Sequence, residues 1–178
     1  DRGADTWTRT FNARSQPLTE TNPLGATTTW AYAADGTLAS ITDAAGRATT
    51  FLYDVHERTT RVTRPGGAFR TFGWDARDRL TSLRTETGAT TAFAYDGNGR
   101  LVMKVDPGGA VESYGYDAMN RRITRTDRTG AVTNVAYDDL GGPASVELLG
   151  RGTYQYTWSD DGRLAEIALP DASPWSLH

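Results

Sequence analysis

The stretch Phe93-Ala94-Tyr95-Asp96-Gly97-Asn98-Gly99-Arg100-Leu101 decides the fold. Two aromatic residues separated by one small residue fit a β-strand with one packed face, because successive side chains point to opposite sides. Asp96 and Gly99 then hold the first and fourth positions of a tight turn. There an aspartate carboxylate accepts a backbone hydrogen bond and glycine relieves strain. Leu101 opens a second strand. Stepping outward by 21 residues returns the same anchor aromatic each time: Phe11, Tyr32, Tyr53, Trp74, Tyr95, Tyr116, Tyr137 and Trp158, with no insertion or deletion between any two. A fixed period of this length marks a unit too small to bury its own apolar face, which stacks on copies of itself.

The rest of the period reads the same way. Two residues before the anchor stand Trp30, Phe51, Phe72, Phe93, Tyr114 and Tyr156, with Arg9 and Val135 as exceptions. Between the pair lie Thr10, Ala31, Leu52, Gly73, Ala94, Gly115, Ala136 and Thr157, mostly small. After the turn comes a β-rich run whose apolar residues are three apart, as in Leu38/Ile41, Leu80/Leu83 and Leu164/Ile167; that step breaks strict alternation and predicts a bulge. A second turn closes the unit at Gly25, Gly46, Gly67, Gly88, Gly109 and Gly130. The expected fold is all-β, an antiparallel β-hairpin repeat array of roughly sixteen strands with almost no helix. Four places depart from the pattern. The first unit reads Phe11-Asn12 and Ser15-Gln16, the second reads Tyr32-Ala33, and the seventh places Gly141-Gly142-Pro143 where Gly-Arg-Leu belongs. Pro143 cannot donate to a ladder and suggests an edge or corner, and the slipped glycines Gly150 and Gly152 predict a deviating turn.

Tyr-Asp-x-x-Gly-Arg-Leu followed by a short strand and a glycine resembles the YD repeat of the RHS family. The aromatic-Asp pair stands at Tyr53-Asp54, Trp74-Asp75, Tyr95-Asp96, Tyr116-Asp117 and Tyr137-Asp138, and the arginine at Arg58, Arg79, Arg100, Arg121 and Arg163, with Trp158, Gly99 and Gly162 in the same frame. The resemblance implies a curved β-strip forming part of a hollow shell, which in bacterial members encloses a C-terminal toxin. It also implies a larger secreted or cell-surface bacterial protein, and as partners the remainder of the shell and its cargo. The family's DPxGL motif, where such shells end and are self-cleaved, is not matched. After Asp106-Pro107-Gly108-Gly109, Ala110 stands where leucine belongs and Leu101 where the preceding proline belongs, and Asp106 shares the slot of Asn22 and Asp43, which makes it an ordinary turn. Residues 1–178 read as one array cut from a longer one. Asp1 begins in the phase of an inter-repeat turn, and 170–178 open a ninth unit with Trp175 in register with Trp7 and Tyr154.

Composition narrows the remaining functions. A formal charge of -3 with scattered arginines makes nucleic acid and anionic membranes poor partners. Cysteine is absent, which removes disulfides, thiolate nucleophiles and Cys-based zinc sites together. No apolar run reaches the length of a membrane span, and this segment carries no signal peptide. His56 falls in a variable turn and His178 is terminal, so a histidine triad or metal site lacks raw material. No catalytic, cofactor or metal residues are expected. The aspartate row reads as turn caps, and the arginine row as partners to a carboxylate across the turn or to an aromatic face. The aromatic rows read as cross-strand packing. The alternative is a carbohydrate-binding or adhesion array, with glycan contact at Tyr95 and Tyr116. An open meander also exposes strand edges that invite edge-to-edge self-association.

Overall fold

A computed structural model of the chain describes residues 6–159 and 161–169. Sixteen strands appear in it, and no helix among the described residues. They are β1 (Thr8–Phe11), β2 (Pro17–Thr21), β3 (Thr27–Tyr32), β4 (Leu38–Thr42), β5 (Ala48–Tyr53), β6 (Thr59–Thr63), β7 (Phe69–Trp74) and β8 (Leu80–Arg84). There follow β9 (Thr90–Tyr95), β10 (Leu101–Val105), β11 (Val111–Tyr116), β12 (Arg122–Thr126), β13 (Val132–Tyr137), β14 (Pro143–Leu148), β15 (Gly152–Trp158) and β16 (Leu164–Ala168). Sheet order equals chain order. The chain divides into two compact units, residues 1–91 and 92–178. The proposed ninth unit at 170–178 lies outside the described residues.

In the first unit, each anchor faces the first residue of the following strand: Phe11 opposes Pro17, Tyr32 opposes Leu38, Tyr53 opposes Thr59 and Trp74 opposes Leu80. One residue earlier the register has slipped by one, since Ala31 opposes Ser40 and Gly73 opposes Ser82. Leu18, Ala39, Thr60 and Thr81 are therefore extra residues, a bulge at the same place in every hairpin. The bulge accounts for the three-residue apolar step. Tyr32 and Trp30 are two apart and share a face; their partners Leu38 and Ile41 must be three apart to reach that face, because Ala39 is skipped. Phe72/Leu83 and Trp74/Leu80 repeat the arrangement. The second unit carries the same bulge at Val102, Ile123, Ala144 and Ala165.

The two faces differ chemically. One bears the aromatic pairs and their aliphatic partners, while the other bears residues such as Thr29, Ala31, Ser40, Thr42 and Thr50. Along β5 the aromatic-face residues Thr49, Phe51 and Tyr53 are half-buried, and Ala48, Thr50 and Leu52 between them are exposed. Among the described residues no hydrophobic side chain is fully buried, and the one buried polar residue is Glu112. Cohesion along the chain thus comes from cross-strand pairs and hydrogen bonds rather than from an enclosed core.

Pro143 is not at an edge. It is the first residue of β14, which pairs with β13 on one side and β15 on the other, and it opposes Tyr137 just before the bulge. Asp138 N–H to the Gly142 carbonyl closes this turn without needing a proline N–H, and the first residue of a strand is a place where proline is tolerated. The turn between β14 and β15 does deviate. Leu148 opposes Gly152 directly, and Arg151 N–H donates to Leu148 in place of the five-residue closure used elsewhere.

Candidate functional site

The most repeated chemistry lies along the row of hairpin turns that follow the anchors. In the third repeat, Asp54 N–H donates to the Arg58 carbonyl at 3.0 Å and Glu57 N–H to the Asp54 carbonyl at 3.1 Å. The Asp54 carboxylate supports the same loop from inside: Oδ1 accepts from His56 N–H at 2.9 Å and Arg58 N–H at 3.1 Å. The fourth turn residue must adopt a left-handed backbone, and Glu57 does so at φ 61° and Gly99 at φ 86°. The turn that closes each repeat uses the same device. Asn22 Oδ1 accepts from Leu24 and Ala26, and Asp43 Oδ1 from Ala45 and Arg47. His56 thus supplies a backbone N–H to the turn, and its side chain is exposed.

The arginine row joins this scaffold through both expected partners and adds a third contact. Arg58 Nε donates to Asp54 Oδ2 at 2.7 Å, as do Arg79 to Asp75, Arg100 to Asp96 and, at 2.6 Å, Arg121 to Asp117. Nη1 of Arg58 then reaches the following repeat, donating to the Asp75 carbonyl at 2.5 Å and to Asp78 Oδ1 at 2.8 Å. In the second unit Arg100 Nη1 donates to the Asp117 carbonyl at 2.9 Å and to Asn120 Oδ1 at 3.0 Å. Its guanidinium carbon lies 4.7 Å from the centre of the Tyr116 ring, and that of Arg121 lies 4.6 Å from the Tyr137 ring. Each such arginine therefore closes its own turn and grips the next repeat. Arg163 pairs with Asp161 at 3.2 Å.

These bonds leave an electrostatic mark. The Arg58 side chain, with the backbone N–H groups of Arg58 and His56, overcomes the desolvation of Asp54 and holds its pKa down to about 2. The backbone and side chain of Arg47 lower Asp43, and those of Arg100 lower Asp96 against its desolvation. For Asp75 and Asp117 desolvation is the largest influence and acts upward, but the hydrogen bonds and charge of Arg79 and Arg121, together with the backbone N–H groups of Arg77 and Met119, outweigh it and the net direction is down. The row is thus a set of ionised caps.

The anchors hold a second kind of contact that spacing alone did not reveal. Trp74 Nε1 donates to the Thr59 carbonyl at 2.8 Å, Tyr116 Oη to Leu101 at 2.9 Å, Tyr137 Oη to Arg122 at 2.9 Å and Trp158 Nε1 to Pro143 at 2.8 Å. Every acceptor is the residue just before a bulge, in the preceding hairpin. Tyr and Trp suit this role because each couples a large apolar ring to a donor at its far end. Tyr95 and Tyr116 are both half-buried on the aromatic face, and Tyr116 spends its hydroxyl on this backbone contact.

The irregular repeats keep the contacts with other residues. Asn12 caps the first turn through Oδ1 to Arg14 and Gln16, and Gln16 Nε2 donates forward to the Gly36 carbonyl at 2.9 Å, as an arginine would. In the seventh unit Asp138 caps Leu140 and Gly142. Gly142 fills the arginine slot, and a Cβ there would fall 3.1 Å from Trp158 Nε1, so the indole occupies the room. Asp106 closes its turn in the usual way, but its carboxylate turns to Lys104 at 3.0 Å and Arg128 at 3.3 Å.

One charged pair was not singled out from sequence. Glu112 accepts from Arg125 Nε at 2.7 Å; that bond lowers the Glu112 pKa and raises that of Arg125, and burial beside it raises Tyr114. A signal existed: Lys104 and Arg125 stand in the slot filled elsewhere by Ile41, Val62 and Leu83.

Comparison with known proteins gives a consistent result. The sequence matches the Teneurin YD-shell family over residues 2–147. No curated protein matches it. Among solved structures it is similar to the crystal structure of TcdB2-TccC3-TEV, at a TM-score of 0.55 and 13% identity, covering 96% of this chain and 12% of that one. The crystal structure of TcdB2-TccC3 aligns at a TM-score of 0.53 and 13% identity, over 90% of this chain and 11% of that one. The likeness is one of fold, and the chain spans about an eighth or less of those structures' length.

Proposed function

The chain belongs to the Teneurin YD-shell family, and from that membership we propose that it is a stretch of shell wall whose parent polypeptide encloses a C-terminal toxin or cargo domain. Its role is structural, and the parent is a secreted or cell-surface bacterial protein. One observation carries the reading: the repeated side chains are used on the neighbouring repeat. Arg58 and Arg100 reach forward to the next turn, while Trp74, Tyr116, Tyr137 and Trp158 reach back to the preceding bulge. Such a pattern suits a wall extended unit by unit, each copy completing its neighbours. The wall acts by exclusion, keeping a sequestered segment from solvent and proteases until release.

Protease protection of the parent polypeptide tests this. With the wall intact, the enclosed segment should resist digestion; after Trp74→Ala and Tyr116→Ala it should be cut at least tenfold faster. Equal digestion of that segment in both proteins would overturn the proposal. Binding on a glycan array that disappears with Tyr95→Ala and Tyr116→Ala, in a protein that stays folded, would favour the carbohydrate-binding reading.

A further inference from the structure

Three of the six arginines within the strands meet an acid. Arg9 pairs with Glu20, Arg70 with Glu86 and Arg125 with Glu112. Two in the first unit do not: among the described residues neither Arg61 on β6 nor Arg84 on β8 has a carboxylate partner. Register places them together. Arg61 opposes Thr71, and Thr71 opposes Arg84, so all three share one face in a single row across three adjacent strands. It is the small-residue face, where Gly73 and Ser82 are the next pair along. Two interstrand spacings put the arginine Cα atoms about 10 Å apart, a gap that two long side chains can close from either side with the Thr71 hydroxyl between them.

Arg61 is already oriented. Its guanidinium carbon lies 3.7 Å from the centre of the Phe69 ring, a stacking contact that fixes its plane. Its Nε is buried and has no hydrogen-bond partner. A guanidinium held by stacking and left without an internal acceptor is rare, because an unsatisfied buried donor is unfavourable. The covered Nε cannot itself meet an acceptor from outside, but the Nη edge beyond it makes no hydrogen bond or ion pair within the described residues and is left facing one. Arg84 is exposed; its guanidinium lies beside Gly88 in the following turn, with no ion pair among the described residues to hold it there.

We propose that Arg61, Thr71 and Arg84 form an oxyanion-binding site on the small-residue face of the first unit, taking a carboxylate or phosphate group between two guanidinium forks. The planar fork matches both anions in bidentate geometry, and the hydroxyl supplies a further donor. The site is independent of the enclosing role: an acidic side chain of a sequestered chain and free inorganic phosphate present the same chemistry.

NMR titration of the 178-residue chain, following the arginine Nε–Hε resonances, tests the site with two probes, inorganic phosphate and hexaglutamate. Resonances of Arg61 and Arg84 should move together in the millimolar range. Arg84→Gln, on an exposed side chain, should weaken binding about tenfold. Arg61→Gln should do the same, and Arg84→Lys, which keeps the charge but loses the fork, should fall between. Arg151→Gln, on a turn of the second unit, should change nothing. A response to phosphate alone assigns a small-anion site and a response to hexaglutamate alone an acidic-chain site, and either supports the proposal. No movement with either probe at about 10 mM, or titrations unchanged by Arg84→Gln, would overturn it.

Discussion

Replacing Tyr116 by phenylalanine removes one atom and asks whether the anchors hold the array through their far ends. The hydroxyl of Tyr116 donates at 2.9 Å to the Leu101 carbonyl in a half-buried setting, while the equivalent bond of Tyr137 to Arg122, also 2.9 Å, is exposed. The arginine over each ring stays, at 4.7 and 4.6 Å, so that contribution cancels between the two variants. A hydrogen bond of this kind contributes about 1 kcal/mol net, and an acceptor left dry loses more than one that water can reach. Tyr116→Phe should therefore destabilise by about 1 to 1.5 kcal/mol, and Tyr137→Phe by less than about 0.5 kcal/mol. For a chain of this size, that is a fall in Tm of about 3 °C against about 1 °C. Tyr116→Leu, which loses the ring and the cation–π contact as well, should fall further, by about 2 to 3 kcal/mol. The assay is urea unfolding followed by tryptophan fluorescence, with the m-value checked for constancy. If Tyr137→Phe is as harmful as Tyr116→Phe, or if Tyr116→Phe is silent, the back-reaching bond does not stabilise the array.

Three further outcomes follow from the same geometry. Asp54, held at about 2 against an ordinary 3.8, has a depressed folded pKa, so its share of stability is present above about pH 4 and lost as pH falls through about 2; Asp54→Asn should flatten the Tm profile across that window. Glu57 adopts φ 61° in an exposed turn, so Glu57→Gly should raise stability by about 1 kcal/mol, and Gly46→Ala, at φ 77° with open space around its Cβ, should lower it by a similar amount. Two alanine substitutions should differ in sign by thermal unfolding. Gly73→Ala meets Ser82 Oγ, which can rotate as Ser40 must opposite Ala31, and Thr81 Oγ1 at 3.3 Å, a hydroxyl that can also turn away, and should be neutral or stabilising by about 0.5 kcal/mol. Gly142→Ala meets the Trp158 indole, fixed by its bond to Pro143, and should be destabilising by about 1 to 3 kcal/mol.

Much of this was legible in the sequence because it is local. The Tyr-Asp-x-x-Gly-Arg run placed every hairpin, and the three-residue step from Leu38 to Ile41 located the bulge, since skipping Ala39 is how both leucine and isoleucine stay on the aromatic face. The Asp96 cap and the Arg100 partnership lie within five residues and could be argued from turn chemistry. What escaped notice joins residues in neighbouring hairpins. The 15-residue link from Tyr116 to Leu101 ends on a backbone carbonyl, which leaves no trace in side-chain identity. Gln16 looked like a lost arginine, yet its amide also reaches the next turn, at the Gly36 carbonyl, because the slot requires a donor of sufficient reach rather than a charge. Pro143 suggested an edge, yet the slot before the bulge is one where no ladder N–H is needed.

The direction of these contacts bears on how such a wall holds together. Arginine grips forward and the anchor grips backward, so a middle repeat is held by both neighbours and loses one of these two grips if either is removed. The grip is not uniform. Thr37 fills the arginine slot of the second repeat and its side chain bonds to Asp35 within its own turn, and Gly142 fills it in the seventh, where the backward bond of Trp158 to Pro143 remains but the slot has no side chain to reach forward. Stability in a linear array is a sum of unit and neighbour terms, so a missing neighbour term weakens one junction without changing the rest. The junctions after Thr37 and Gly142 are therefore where each unit should open first, and the Arg58, Arg100 and Arg121 junctions are where it should stay closed. A row of identical motifs thus carries a built-in order of strength, set by which of eight equivalent positions retains a side chain long enough to reach the next turn.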